Sequence, residues 1–307
     1  MFDYKKLIKN RTIRMKILHL LDFIPDSLML KFQYFIQTGN KLNLKNPQRY
    51  TEKIQWYKLY YRNPLMKQCV DKYDVRQYVE QCGLKEILNE CYGVFDNAED
   101  VDFNKLPNSF VLKDTLGGGG NDIIIVKNKN KLNINETIER MKEWTNYPYK
   151  GKHPGREWAY EGKKHRIIVE KYLTDLNQPN GIMDYKFFCF NGKIFCSYLL
   201  KNTESHDMSQ LAFFDKDFNA LNVYRPSYAK PLISIQEKPL HYDKMLIYAE
   251  KLSSKFPAAR IDFYNLSGRI IFGEITFFTA SGYISFVPDK FDFILGKEFV
   301  LPDGAII

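Results

Sequence analysis

Three oxygen-bearing side chains fall on two neighbouring strand-like stretches of this sequence: Asp262 in A-R-I-D-F-Y, and Glu274 and Thr276 in F-G-E-I-T. Strand alternation gives Glu274 and Thr276 one face. With Asp262 turned to that face as well, the three converge where a hard divalent cation can sit, its shell completed by waters and phosphate oxygens. Arg260 shares the face of Asp262 and sets a fixed cation beside it. The set suits a polyphosphate; the alternative is a pair of strand acids satisfied by neighbouring lysines. Lys113 ends a second strand, residues 110–113, and leads into D-T-L-G-G-G-G-N. The backbone N–H groups of Gly117, Gly118, Gly119 and Gly120 can close over phosphates as a flap, with Lys113 reaching the same oxygens as a point charge. No G-K-[ST] follows and no helix opens there, so this is no Walker loop; a mobile turn is the other reading.

The elements that must position these groups are two hairpins. Residues 261–264 and 270–278 flank Asn265-Leu266-Ser267-Gly268, and residues 184–190 and 193–196 flank Asn191-Gly192. Asp184 and Lys186 share a face of the second. A strand is expected over 166–173, another over 123–127, and helices near 134–144 and 242–256. From Pro25 to Cys91 the apolar spacing is helical, beginning with Leu28, Leu30, Phe32, Phe35 and Ile36, and it predicts Lys72 and Arg76 one turn apart on one helical face. The loop 145–164 carries Lys150, Lys152, His153, Arg156, Lys163 and Lys164, which suit an acidic glycan or plain solvation.

A net charge of +9 implies an anionic partner without choosing among nucleic acid, nucleotide, acidic glycan and lipid head group. No nucleic-acid module appears, and the aromatic residues follow core periodicity, so nucleic acid is not expected. Five cysteines with no C-x-x-C spacing read as reduced thiols in a cytoplasmic protein. No signal peptide or membrane span is expected. Residues 1–21 alternate Leu and Ile with Lys and Arg at helical spacing, which fits either peripheral contact with an anionic membrane at its inner face or a packed helix with a solvated basic side.

In order, these landmarks resemble the ATP-grasp superfamily and, more closely, the TupA-like ATP-grasp proteins of bacterial surface-polysaccharide clusters. The resemblance runs from about Pro47 to Gly296, through N-P-Q-R-Y-T-E-K-I-Q-W-Y-K-L at 46–59, Val70-Asp71-Lys72, and residues 110–120, 184–192 and 260–282. It implies an α+β ATP-grasp fold: a basic helical region at 1–105, a small subdomain with the glycine flap at 106–173, and a large subdomain with the metal site at 174–307, the two subdomains clasping ATP. By the same resemblance Arg76 and Lys113 contact the nucleotide phosphates, and Glu170, Lys171, Tyr172 and Leu173 form the hinge along the adenine edge. Asp184 holds the ribose; Asp262 and Glu274 bind Mg2+ with Thr276 as third ligand; Arg260, Lys113 and Lys186 serve the transferred phosphoryl group. The implied reaction is carboxylate–amine ligation through an acylphosphate, joining an amino acid to a uronic acid of a capsule or lipopolysaccharide glycan, free or lipid-linked. The alternatives are a glycan or small-molecule kinase using the same nucleotide site, and a non-catalytic or glycosyltransferase-like role.

Overall fold

The computed structural model describes residues 17–303 except 119, 121, 148–149, 179–180, 202–208, 227 and 233–236. Four helices precede most of the strands: α1 (Asp26–Thr38), α2 (Tyr50–Tyr60), α3 (Leu65–Cys69) and α4 (Val75–Gln81). A small antiparallel sheet then forms from β1 (Cys91–Phe95), β2 (Phe110–Asp114), β3 (Ile123–Val126) and β4 (Ile167–Lys171), in the order β1-β4-β2-β3. Helix α5 (Ile134–Thr145) covers it through Met141 and Trp144, which share a core with Phe110, Leu112, Ile167 and Val169.

The second sheet has the order β11-β10-β5-β6-β7-β8, with β9 beside β7. It comprises β5 (Asp184–Phe190), β6 (Lys193–Lys201), β7 (Gln210–Asp215), β8 (Ala220–Leu221), β9 (Lys230–Pro231), β10 (Ala258–Leu266) and β11 (Arg269–Thr276), with α6 (Tyr242–Ser253) and α7 (Lys290–Glu298) packed around it. Both predicted hairpins are present. The β10–β11 turn is Ser267-Gly268, both at positive φ, the backbone a two-residue hairpin loop uses because it matches strand twist.

Strand β5 is buried along its whole length. One of its faces packs Phe188 and Phe190 edge-on against Tyr50 of α2. Two residues at a time toward the start of the strand, that face changes to Lys186 and Asp184, so the apolar core ends where the charges begin. Helix α2 is held in place at its N-terminus. Glu52 accepts from the backbone N–H groups of Asn43, Gln48 and Arg49, while Thr51 and Arg49 bond to Asp292 and Asp289 at the start of α7. The N–H groups of Arg49 and Thr51 at the start of the helix thereby find side-chain acceptors.

The structure differs from expectation in four places. Cys91–Phe95 is a strand, so the small sheet begins upstream of residue 106 and the helical region is shorter than 1–105. Lys72 lies in a turn ahead of α4, because Asp71 draws the N–H groups of Tyr73 and Asp74 into its own carboxylate and delays the helix. Phe32 and Phe35 are exposed, although the aromatic residues are expected to follow core periodicity. Of the 145–164 loop, Lys152 pairs with Asp26, Arg156 with Asp22, Lys163 with Asp74 and Lys164 with Asp96, so these four cations are engaged within the chain. The basic stretch 1–16 lies outside the described residues. No described helix is long and apolar enough to cross a membrane, and all five cysteines are free thiols.

Candidate functional site

The charges of the large sheet form one connected network. Cross-strand pairing sets Asp262 opposite both Glu274 and Lys186, and Arg260 opposite Thr276, which puts all five side chains on one face. Arg260 Nε donates to Asp262 Oδ1 at 2.7 Å and its Nη2 to Asp262 Oδ2 at 2.7 Å, Glu274 Oε1 at 2.8 Å and Thr276 Oγ1 at 3.0 Å. Lys186 Nζ bonds Asp262 Oδ2 and also meets Asp184 Oδ2. Gly273 is the extra residue of a β-bulge opposite Asp262, where an added Cβ would stand 3.0 Å from the Asp262 carbonyl oxygen. Such a bulge bends its strand and re-aims the next side chain, here Glu274.

The groups of this network titrate in different directions. Burial pushes the Asp184 carboxyl up to about 6, with Asp262 adding to the push and Lys186 opposing it. Burial would also raise Glu274, but Arg260, Lys186, Lys72 and the Thr276 hydroxyl hold it at about 2. Burial disfavours the Lys186 and Arg260 charges, yet the surrounding carboxylates keep both groups firmly protonated. Asp262 is 1% exposed, whereas the Glu274 side chain is 42% exposed. Solvent therefore damps the energetic worth of the Glu274 pairing, and the same opening lets a ligand reach it.

A second cation pair, one from the small sheet and one from α4, meets at Glu170. Lys113 and Glu170 lie diagonally on paired strands, and Lys113 Nζ donates to Glu170 Oε2 at 2.7 Å while Arg76 stands 3.8 Å from Glu170 Oε1. Burial works against the Lys113 charge; Glu170 overrides it, helped by Tyr264 and Glu274 of the other sheet, and raises the Lys113 pKa. That influence marks the seam where the two sheets meet. Lys72 bridges it too, donating to the Gly117 carbonyl at the mouth of the glycine loop while its charge bears on Glu274. Gly117 is required there, because a Cβ would fall 2.7 Å from that of Asp122 and 3.1 Å from that of Asp114. Gly118 has open space around it, Gly120 sits at positive φ, and Gly119 lies outside the described residues.

The structure thus brings together Arg76, Lys113, Glu170, Asp184, Lys186, Arg260, Asp262, Glu274 and Thr276. The carboxylate of Glu170 is engaged by cations. Lys171 turns outward to Glu90, and Tyr172 and Leu173 follow the strand end. Among the described residues no three His, Cys, Asp or Glu side chains cluster as a ready metal site. The donors fit a cation that takes one or two carboxylates and fills its shell with phosphate oxygens and water. Glu274 is open to it, whereas Asp262 already satisfies Arg260 and Lys186, and Thr276 donates to Glu274 Oε1 at 3.1 Å. The buried Asp184 Oδ1 has no hydrogen-bond partner among the described residues, an acceptor waiting for a donor.

A neighbouring polar cluster carries residues the sequence did not single out. Ala280 and Ser281, just beyond β11, both adopt left-handed backbone, which costs a non-glycine residue about 1–2 kcal/mol each. The buried Lys58 donates to the Ser281 carbonyl and hydroxyl, each at 2.8 Å, Gln55 donates to the Ser281 and Gly282 carbonyls, and the Ser281 hydroxyl bonds Glu157. Burial pulls Lys58 down to about 8 against the opposing pull of Glu157. Tyr160 senses Glu157, Glu274 and Arg260 together, so this cluster adjoins the charged seam. Its members are far apart in sequence, and only the two unusual backbone angles, invisible in composition, announce it.

Two antiparallel sheets that meet at a charged seam form an α+β architecture, and the molecule is one of the ATP-grasp folds. More narrowly, residues 52–300 match the family model described as TupA-like ATPgrasp, and the chain belongs to that family. Among solved structures, similarity extends to a D-alanine–D-alanine ligase from Bacillus anthracis (18% identity, 68% of this chain and 57% of that one, TM-score 0.41). A D-alanine–D-alanine ligase from Helicobacter pylori (15%, 76% and 61%, 0.42) and an N5-carboxyaminoimidazole ribonucleotide synthetase (13%, 74% and 50%, 0.41) are similar to a like degree. The chain spans between half and three-fifths of the length of these three. Comparison with curated proteins finds no match.

Proposed function

We propose that the protein is an ATP- and Mg2+-dependent carboxylate–amine ligase. The observation that carries this reading is the seam itself, where Lys113 of one sheet, with Arg76 of α4 beside the same Glu170, comes under the charge of Glu274 in the network of Lys186, Arg260 and Asp262 on the other sheet, within a chain of an ATP-grasp family. Lys113, Arg76 and the N–H groups of the glycine loop hold the phosphates, and Asp184 takes a ribose hydroxyl on its free oxygen. The residues after β4 line the adenine edge. Glu274 and Asp262, with Thr276 beside them, would hold Mg2+, which would neutralise charge on the phosphate oxygens.

In the proposed reaction a substrate carboxylate oxygen takes the γ-phosphoryl group and ADP leaves. An amine then attacks the acyl carbon of the acylphosphate and inorganic phosphate departs. Arg260 and Lys186, kept protonated by their carboxylate neighbours, stabilise the charge on the phosphoryl oxygens. The loop after Lys113 excludes water that would hydrolyse the acylphosphate. We assign a uronic acid of a bacterial surface glycan as the carboxylate, free or lipid-linked, and an amino acid as the amine, on the cytoplasmic side of the membrane.

The test is ADP release with Mg2+ and ATP against uronic acids, alone and with each amino acid, followed by mass spectrometry. Release that requires both partners, with a product equal to their summed masses less water, is expected. Release with a sugar alone and a product heavier by a phosphate would make the protein a kinase and overturn the ligase.

A further inference from the structure

We propose that the outward face of α1 docks on an anionic lipid bilayer. The rotation of α1 is fixed from inside. Met29, Leu30 and Tyr34 are buried, Tyr34 shares a 2.9 Å hydrogen bond with Thr51, and Gln33 Nε2 donates to the Pro154 carbonyl at 2.9 Å. The opposite face then presents Leu28, Phe32 and Phe35 at 56%, 62% and 59% exposure, spaced i, i+4, i+7, with the exposed Lys31 among them. Just upstream Leu20 and Phe23 are 74% and 81% exposed. Six of the sixteen large apolar side chains exposed among the described residues fall between positions 17 and 35. The rest are scattered, as single exposed apolar residues usually are; a concentration of this kind marks an interaction surface.

Charge identifies the occupant. Residues 1–45 hold nine Lys or Arg against three Asp, a net +6 of the +9 carried by the whole chain. Two of those acids are paired with cations elsewhere in the chain. Asp22 is taken by Arg156 and the Lys152 N–H, and Asp26 by Lys152 at 2.7 Å. The described outer face is aromatic and aliphatic surface with Lys31 among it, and the sequence joined to it is basic, the pattern that buries apolar side chains at the acyl boundary while cations meet anionic head groups. A second copy of the chain fits poorly, because a two-fold contact through this face would bring the same excess of positive charge against itself.

The experiment is co-sedimentation of the full chain with vesicles of phosphatidylcholine, with and without phosphatidylglycerol. Capture by the anionic vesicles is expected, weakening as salt rises. The double substitution Phe32→Asp with Phe35→Asp should lower the bound fraction by about tenfold or more without changing the melting temperature, because neither ring is packed. Equal capture of parent and variant, or capture by neither vesicle, would overturn the proposal. In a second measurement, Phe32→Trp should shift its emission to shorter wavelength with anionic vesicles, and an unmoved spectrum in a bound chain would place the contact elsewhere. A dimer without lipid that the double variant dissociates would make the face a contact between copies.

Discussion

Strand β5 and helix α1 break the same rule in opposite directions. In β5, Asp184 and Lys186 are buried where apolar side chains belong; on α1, Leu28, Phe32 and Phe35 face water where polar ones belong. The difference lies in who supplies the missing partner. Each buried charge of β5 has its counterion within the chain, so the departure is internally compensated and rigid, as a site for reacting groups must be. The apolar stripe of α1 has no compensation among the described residues, and its energy is realised only in contact with something else. One departure from the rule makes a site, the other a surface.

That contrast can be broken most sharply within the charged network. Asp262→Ala leaves Arg260 and Lys186 buried without their shared counterion and is expected to cost about 3–5 kcal/mol of stability, read by denaturant unfolding, along with ADP formation. Glu274→Gln, its half-open cross-strand neighbour, should lower ADP formation by about a hundredfold or more while the unfolding midpoint stays near the parent's. Matching stability losses in both would mean that Glu274 is structural and the site misassigned.

Lys58 supplies a test by pH. Its pKa of about 8 lies below the ordinary lysine value, so the folded state releases the proton first and the unfolded state binds more protons between about pH 8 and 10.5. Stability contributed through Lys58 should therefore rise across that window, by up to about 3 kcal/mol relative to Lys58→Met. Parallel pH curves for parent and variant would remove the shifted lysine. Lys113→Ala should weaken ATP binding by about ten- to a hundredfold in calorimetry, the loss of one charge-assisted contact. Chelating Mg2+ should diminish the thermal protection that ATP gives the parent. The smallest effect belongs to the surface: Leu28→Gln should move unfolding by less than about 0.5 kcal/mol, which separates it from any core position.

Much of the site was legible because the chemistry sat on regular strands. Alternation alone predicted that Glu274 and Thr276 share a face, and turn residues located both hairpins, so the convergence of Asp262 with them needed only the β10–β11 register. That Asp262 would be held so completely by Arg260 and Lys186 was not legible, since Lys186 arrives from a different hairpin. Cys91–Phe95 escaped notice because a five-residue strand containing a glycine and bordered by helical spacing carries little period-2 signal. The outward turn of the α1 stripe was not legible for a related reason. Spacing reports that residues share a face, but which face meets the protein is decided by the partners of Gln33, Tyr34, Asp22 and Asp26, namely Pro154, Thr51, Arg156 and Lys152, none of them on the helix. Glu157 and Ser281 were invisible on the same grounds.

The links from Asp22 and Asp26 to Arg156 and Lys152 bear on how the molecule works as a mechanical object. A docking helix on a slack hinge would leave the reaction seam wandering over the bilayer at any height and angle. Here the segment carrying the apolar stripe is clamped to the loop that also supplies Glu157, whose carboxylate holds Ser281 just beyond β11. The mount and the workpiece share a bracket. A bilayer-bound chain would therefore present its seam at a set standoff and tilt, so that of all lipid-tethered acceptors only those whose reactive group stands at that height would be within reach.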